Sequence, residues 1–213
     1  MSGNLISNWR AKYSRISSTV IIPDGCRDLI VKTVRNEKPN WLVSPLFDRP
    51  ELVQIEANSE YVGFRLSPGA QIKERELLHY IETKQFHAED VKSFIGDFVS
   101  SESSIEEALE CFACDTGSVK QSAVQLGVSV RTLQRLVLNK TKRTPGYWLQ
   151  LARIRKAARS LTHSAYLADV AENYGFSDQS HMNREFQRWL GLTPVQVLSS
   201  PAIIRQLNDK GYA

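Results

Sequence analysis

Two polar stretches in the C-terminal half of this 213-residue chain hold side chains suited to reading DNA bases. Arg can donate hydrogen bonds to base edges in the major groove, and Gln, Asn, Ser and Thr can donate or accept them. The first stretch contains Arg131, Thr132, Gln134 and Arg135, and the second contains Gln179, Ser180, His181, Asn183 and Arg184. To work in this way, each set must lie on the exposed side of a helix that fits the groove.

The two stretches lie in a repeated pattern. At an offset of 48 residues, the second copy repeats Ala123, Gly127 and Ser129 as Ala171, Gly175 and Ser177. At an offset of 49, it repeats Leu133, Arg135, Thr144 and Pro145 as Met182, Arg184, Thr193 and Pro194. One residue has therefore been added between Ser177 and Met182. Repeats of this period indicate a duplicated supersecondary unit.

Each copy has the parts of a helix-turn-helix. A small alanine permits close helix packing, a glycine at the corner tolerates positive φ, and Ser129 or Ser177 is expected to cap the second helix. Two solvated amphipathic helices in a bundle would give part of this pattern. The register of both copies, including both Thr-Pro pairs, favours two helix-turn-helix units.

A long helix is predicted between the copies, from Pro145 to about Thr162. Thr144 supplies an N-cap and Pro145 suits the first helical position. The apolar side chains of Tyr147, Leu151, Ile154, Ala158 and Leu161 fall on one face. A helix of roughly 27 Å could hold the two units near adjacent major grooves, which are about 34 Å apart.

Residues from about Ser104 to Ser199 resemble the DNA-binding domain of the AraC/XylS family of transcription regulators. The second copy carries the signature residues, with Met182 where the family more often has Phe or Leu. In the first copy Val137 replaces the usual Phe, and Lys142-Arg143 stand near a usual Gly. The signature residues are Ala171, Gly175, Phe176, Ser177, Ser180, Arg184, Glu185, Phe186, Gly191, Thr193 and Pro194. The resemblance implies seven helices in two subdomains joined by the long helix.

Phosphate contacts are predicted where the first copy ends. The second helix of each copy, which would enter the major groove, is its recognition helix. Three basic residues follow the first recognition helix and precede the helix that begins at Thr144: they are Lys140, Lys142 and Arg143. Basic loops and helix N-termini favour phosphate, so these four residues are expected to hold the DNA backbone.

The charge of the chain is divided between its halves. Residues 118–213 carry 14 Lys and Arg against 5 Asp and Glu, whereas residues 1–117 carry 13 against 18. A basic half that also contains both polar stretches is consistent with a nucleic-acid partner, and the acidic half should not lie along the phosphates.

The N-terminal half predicts a small, mainly β domain. Segments 18–34, 41–47 and 52–66 are rich in β-forming residues, with a turn at Pro23-Asp24-Gly25, and indicate four to six strands. Helices are expected over 72–80 and 89–99, followed by a linker at 100–104 and a capping box at Ser104 and Glu107. The predicted fold class is α+β, with a β-rich domain at 1–100 and an all-α domain of two helix-turn-helix subdomains at 101–213.

The motif Pro-Asp-Gly-Cys-x-Asp-Leu at 23–29, with Gly63-x-Arg-x-x-Pro-Gly69, resembles a short N-terminal domain that precedes some AraC-type DNA-binding domains. The domain is too short for the family's sugar-binding barrel, so no sugar ligand is implied. Asp24 and Asp28 favour turn chemistry and a strand-edge ion pair; part of an effector pocket is the alternative.

Nothing in the sequence indicates an enzyme, a metal or a cofactor. Cys111 and Cys114 have C-x-x-C spacing, but they fall in a predicted helix and lack a second pair. The zinc site of DNA-repair methyltransferases needs four cysteines, and the three cysteines of this chain argue against it. The three cysteines show no disulfide framework, which fits a reducing cytoplasm. The sequence has no apolar run of about 18 residues, so we expect a cytoplasmic, nucleoid-associated protein that does not bind membranes.

These observations predict a sequence-specific regulator of transcription, with activator favoured over repressor, that binds double-stranded DNA and works with RNA polymerase. The alternative is a non-catalytic effector-sensing or protein-interaction module that uses the same fold. A homodimer formed through the N-terminal domain and an unidentified small-molecule effector both remain open.

Overall fold

The computed structural model describes residues 4–114, 117–164 and 166–213. Strands dominate as far as residue 66, and α-helices dominate from residue 103 onward, which confirms the α+β prediction. The strands are β1 (Leu5–Tyr13), β2 (Ser17–Ile21), β3 (Asp28–Val34), β4 (Asn40–Val43), β5 (Glu51–Ile55), β6 (Ser59–Leu66), β7 (Gln71–Ile72) and β8 (Val99–Ser100).

The main sheet is antiparallel, with the strand order β1-β6-β3-β4. Trp9 on β1 pairs with Gly63 on β6. The absence of a side chain at Gly63 lets the Trp9 indole lie against the sheet, because a Cβ there would overlap the ring. Strands β2 and β5 form a separate ribbon, and β7 pairs with β8.

Two helices, α1 (Glu74–Lys84) and α2 (Val91–Phe98), cover part of the main sheet. Leu29, Phe64 and Leu66 on the sheet are buried with Leu77 of α1 and Ile95 of α2. The helix predicted over 72–80 begins and ends later than expected, since residue 72 belongs to β7.

Helix α3 begins one residue before the predicted cap. The carbonyl of Glu102 accepts the backbone N–H of Glu106 at 3.0 Å, so Ser104 lies inside the first turn. The capping box predicted at Ser104 and Glu107 is therefore wrong.

The C-terminal part contains helices from Ser103 to Asn208. Among the described residues it has eight α-helices, one more than the resemblance implies. They are α3 (Ser103–Cys114), α4 (Val119–Gln125), α5 (Val130–Thr141), α6 (Pro145–Ser160), α7 (Leu167–Asn173), α8 (Gln179–Leu190), α9 (Pro194–Leu198) and α10 (Pro201–Asn208). The additional helix, α10, buries Ile203 and Leu207 against the rest of this part.

A second hydrophobic core lies around α6. Leu133 of α5, Trp148 of α6 and Phe186 of α8 are all buried in it, so both repeated units share one core with the helix that joins them. Ile22, which follows β2, belongs to the same core at 1% exposure. The N-terminal segment thus packs directly on the helical part.

Candidate nucleic-acid interface

The first repeated unit has the predicted helix-turn-helix geometry. Helix α4 buries Ala123, and the chain then turns at Gly127, whose φ of +66° suits glycine. The turn is closed by the N–H of Val128, which donates to the Ala123 carbonyl at 2.9 Å. Ser129 then caps α5 by accepting the Thr132 N–H at 3.1 Å.

The second unit repeats this geometry with one change. Gly175 has a φ of +68°, and the N–H of Phe176 donates to the Ala171 carbonyl at 2.8 Å. The cap predicted at Ser177 is wrong, because Asp178 caps α8 by accepting the His181 N–H at 2.6 Å. The residue added in this copy moves the cap by one position.

The side chains predicted to read bases lie on the exposed sides of α5 and α8, opposite the buried Leu133 and Met182. Within residues 4–114, 117–164 and 166–213, no side-chain hydrogen bond engages the predicted readers except at Thr132 and His181. The fully exposed members are Arg131, Thr132, Gln134 and Arg135 on α5, and Gln179, Ser180, Asn183 and Arg184 on α8.

His181 is the half-buried member of the set. Its Nδ1 lies 3.2 Å from the backbone nitrogen of Ser177, in position to accept that N–H, and its ring packs edge-on against Phe176. Thr132 also has a local partner, the hydroxyl of Ser129 at 2.8 Å. For these two residues, a base contact would compete with a bond that stabilises the helix start.

The four residues predicted to hold phosphate are in different situations. Thr144 caps α6, and Lys142 is exposed with its Nζ donating to the Asn139 carbonyl at 2.8 Å. Lys140 lies in the last turn of α5, so its predicted place in the loop after that helix is wrong, and it is paired with Glu102. Arg143 donates to the Leu46 carbonyl at 2.8 Å.

Arg188 was not selected from the sequence, although it is exposed on α8 one turn after Arg184. Its guanidinium lies 5.7 Å from the centre of the Trp189 ring. The i, i+4 spacing from Arg184 was the signal that could have identified it.

Helix α6 is buried on more sides than its apolar pattern predicts. Leu151, Ile154 and Ala158 are buried as expected, and so are Trp148 and Arg155. The Arg155 guanidinium donates to the carbonyls of Tyr212, Pro23 and Leu207 at 2.9, 3.4 and 3.4 Å. Burial lowers the pKa of Arg155 to about 10, so the side chain is still charged at neutral pH.

The Pro-Asp-Gly-Cys-x-Asp-Leu segment forms the junction with the helical part. Arg65 lies 2.8 Å from Asp24 and 3.1 Å from Asp28, and it also donates to the Lys210 carbonyl at 2.9 Å. The Tyr212 N–H donates to the Asp24 carbonyl at 2.8 Å. Asp24 and Asp28 thus form the expected ion pairs, and these pairs join the sheet to the C-terminal segment.

The Cys111-x-x-Cys114 pair lies in the last turn of α3, with Cys111 buried and Cys114 exposed. The Cys111 Sγ contacts the Gln125 side-chain oxygen at 3.2 Å. The described residues contain no cluster of His, Cys, Asp and Glu that could hold a metal. Within the same residues, no helix combines the length and apolarity needed to cross a bilayer.

Residues 122–200, which contain both units, match the family described as "Helix-turn-helix domain". A similar curated protein is the HTH-type transcriptional activator RhaS of Escherichia coli O1:K1 / APEC, 40% identical over 76 residues. That match covers 35% of this chain and 27% of the relative. The chain therefore spans about a quarter of the length of the curated relatives it matches.

Two solved structures show looser similarity. A transcriptional regulator with an AraC-type DNA-binding domain from Chromobacterium violaceum is 21% identical, over 50% of this chain and 94% of that one, with a TM-score of 0.41. ToxT from Vibrio cholerae O395 is 11% identical, over 96% of this chain and 98% of that one, with a TM-score of 0.46. Both scores are below 0.5, too low to support an inference.

The geometry and the family match identify residues 122–200 as a region of two helix-turn-helix units joined by α6.

Proposed function

We propose that this protein is a sequence-specific DNA-binding transcription regulator that reads two adjacent major-groove segments. The observation that supports this most is the pair of exposed polar helix faces, on α5 and α8, presented by two units that share one core. Arg and Gln in such positions can each make bidentate contacts worth about 1–3 kcal/mol of discrimination.

Because one chain carries two different readers, it should occupy an asymmetric site of about 20 base pairs, with half-sites about 10 base pairs apart. A homodimer formed through the N-terminal region would instead give a two-fold site of greater length. Selection of bound sequences from a random duplex library with the full chain distinguishes these arrangements and provides the site for the tests below.

The assignment of readers is tested with Arg131→Ala and Arg135→Ala. Each should relax sequence preference at one or two base pairs near one end of the site, because the base loses its hydrogen-bond partner. Arg205→Ala is the matched control, since it removes the same charge from an exposed position on α10. If preference survives at every position in both reader variants, α5 is not a recognition helix.

The remaining parts of the proposal concern the setting of this activity. We assign the protein to the nucleoid in the cytoplasm, as an activator that works with RNA polymerase. We divide it into a sensing or dimerisation domain at 1–100 and the DNA-binding domain at 101–213. A reporter gene placed behind the selected site tests activation, because expression of the protein should raise reporter expression. A fall in reporter expression would show that the protein is a repressor.

A small-molecule effector is supported by a cavity of about 800 Å³ between the main sheet and the segment that joins α1 to α2. Val31 and Phe64 form part of its floor, and Trp41 and Phe86 add aromatic surface. Its size lies within the range of ligand sites. A thermal-shift screen of small molecules should give a ligand whose stabilisation is lost in Trp41→Ala; stabilisation that persists would place the ligand elsewhere.

A further inference from the structure

The loop between β4 and β5, residues 44–50, packs against the segment that follows the first helix-turn-helix unit and against the end of the second unit. The Tyr147 hydroxyl at the start of α6 donates to the Phe47 carbonyl at 2.7 Å. At the end of the second unit, Pro50 approaches Gly191, where its Cγ is 3.3 Å from the position that a Cβ would occupy. A loop of the N-terminal region thus bridges the two units that are proposed to bind DNA.

Arg143 is held by this loop. Its guanidinium donates to the Leu46 carbonyl at 2.8 Å and lies 3.7 Å from the Asp48 carboxylate. On its other side it lies 5.5 Å from the centre of the Tyr147 ring. Arg143 follows the first recognition helix by two residues, in the segment predicted to hold phosphate. In this structure, an aspartate and a carbonyl take the place of that phosphate.

The loop does not satisfy Arg143 completely. The Nε atom is buried without a hydrogen-bond partner among the described residues. A buried N–H left unpaired favours any arrangement that supplies an acceptor. A DNA phosphate has several acceptor oxygens and a full negative charge, so it can bind the guanidinium more completely than one carboxylate at 3.7 Å.

The surroundings also favour an anion. Asp48 lies at the edge of a cleft of about 620 Å³ that is also lined by Arg49, Arg188 and the start of α6. Its side chain is 62% exposed, so the loop can release it at little cost.

We propose that Asp48 and the Leu46 carbonyl form an autoinhibitory contact that keeps Arg143 from DNA phosphates. This inference rests on the proposed DNA-binding function. DNA and the loop compete for the same guanidinium, so any event that withdraws the loop raises DNA affinity, and DNA binding loosens the loop to the same extent.

The test uses the full chain and a mixed-sequence DNA duplex of about 30 base pairs, titrated between about 50 and 200 mM salt. Asp48→Asn should raise affinity by about two- to fivefold, the range expected on removal of one exposed ion pair, and steepen the salt slope by about 0.9, the value for one added phosphate contact. Glu51→Gln is the matched control. It removes the same charge three residues further on, at an exposed position on β5, and should change affinity by less than about twofold without changing the slope.

A second pair of variants shows whether Arg143 is responsible. In an Arg143→Ala background, adding Asp48→Asn should have no more effect than adding Glu51→Gln. If the gain persists in that background, Asp48 acts through its general field and the inference is wrong. If Asp48→Asn changes DNA affinity and salt slope no more than Glu51→Gln does in the wild-type background, the autoinhibitory contact is refuted while the proposed function stands. If the wild-type chain shows no salt-dependent DNA binding, both fail.

Discussion

Replacing Gly25 with alanine should destabilise the junction between the two parts of the chain. Gly25 has a φ of +76°, and an added Cβ would lie 2.5 Å from the Tyr212 Cβ. It would also lie 3.1 Å from a Trp148 ring carbon and 3.2 Å from a Leu151 methyl. Tyr212, Trp148 and Leu151 are 4%, 0% and 1% exposed, so none of them can move aside into solvent.

The magnitude follows from two separable costs. A left-handed backbone costs a residue with a Cβ about 1–2 kcal/mol, part of which is offset because alanine restricts the unfolded chain more than glycine does. Overpacking a close-packed core adds about 1–3 kcal/mol. We therefore expect Gly25→Ala to reduce the free energy of unfolding by about 1–4.5 kcal/mol.

Gly127→Ala separates these costs. Gly127 has a similar φ of +66°, but an added Cβ there meets nothing within 4 Å. It should show the backbone cost alone, about 0–1.5 kcal/mol. The difference between the two variants measures how tightly the Pro23–Gly25 turn packs on α6.

The assay is urea unfolding followed by tryptophan fluorescence and by helical circular dichroism, and the two probes must coincide for a single free energy to be used. A Gly25→Ala variant that is no less stable than Gly127→Ala would show that the turn does not pack against Trp148 and Tyr212 as described.

Two further predictions concern the helical part and the thiols. The isolated fragment from about Ser100 to Ala213 should select the same DNA sequences as the full chain, because it holds both readers. It should be less stable than the helical part of the full chain by about 1.5–3 kcal/mol, because it loses Ile22 from its core. A soluble, folded fragment without specific DNA binding would mean that reading depends on the N-terminal region. A thiol reagent should modify Cys114 quickly and Cys26 and Cys111 slowly in the native protein, since the latter two are buried and burial raises the pKa of Cys26. Equal rates for all three before denaturation would contradict the described burial.

The helix-turn-helix units could be predicted because their signals are local. A glycine at the corner, a small residue before it and a capping residue after it act within about ten residues of one another. The same locality explains the error in the second unit. Ser177 and Asp178 are both residue types that cap helices well. The added residue shifts the register of the turn by one position, and this shift makes Asp178 the N-cap of α8.

The first strand was missed for a similar reason. Leu5–Tyr13 has few strongly apolar side chains and contains Arg10 and Lys12, both of which pair with Glu60 across the sheet. Such a strand is stabilised by its partner strand, and the sequence of β1 alone carries little of that information.

The junction lay beyond sequence reasoning because it joins segments far apart along the chain. The Arg155 guanidinium donates hydrogen bonds to the carbonyl of Pro23, which lies 132 residues before it, and to the carbonyl of Tyr212, which lies 57 residues after it. An arginine in an amphipathic helix is ordinarily expected at the surface, and nothing near Arg155 indicates otherwise. The Asp24 and Asp28 ion pairs could be anticipated, but not that Arg65 would also bind the C-terminal segment.

The N-terminal region holds α6 at two places. The loop contacts its first turn through the bond between Phe47 and Tyr147, and the turn at Pro23–Gly25 contacts Trp148, Leu151 and Arg155 further along. Since α6 joins the two units, a change in the N-terminal region that releases either contact would alter how those units are presented together to DNA. The loop contact is half-buried and leaves the Arg143 Nε without a hydrogen-bond partner among the described residues, whereas the turn is more deeply buried. The loop is therefore the contact that can open while the molecule stays folded.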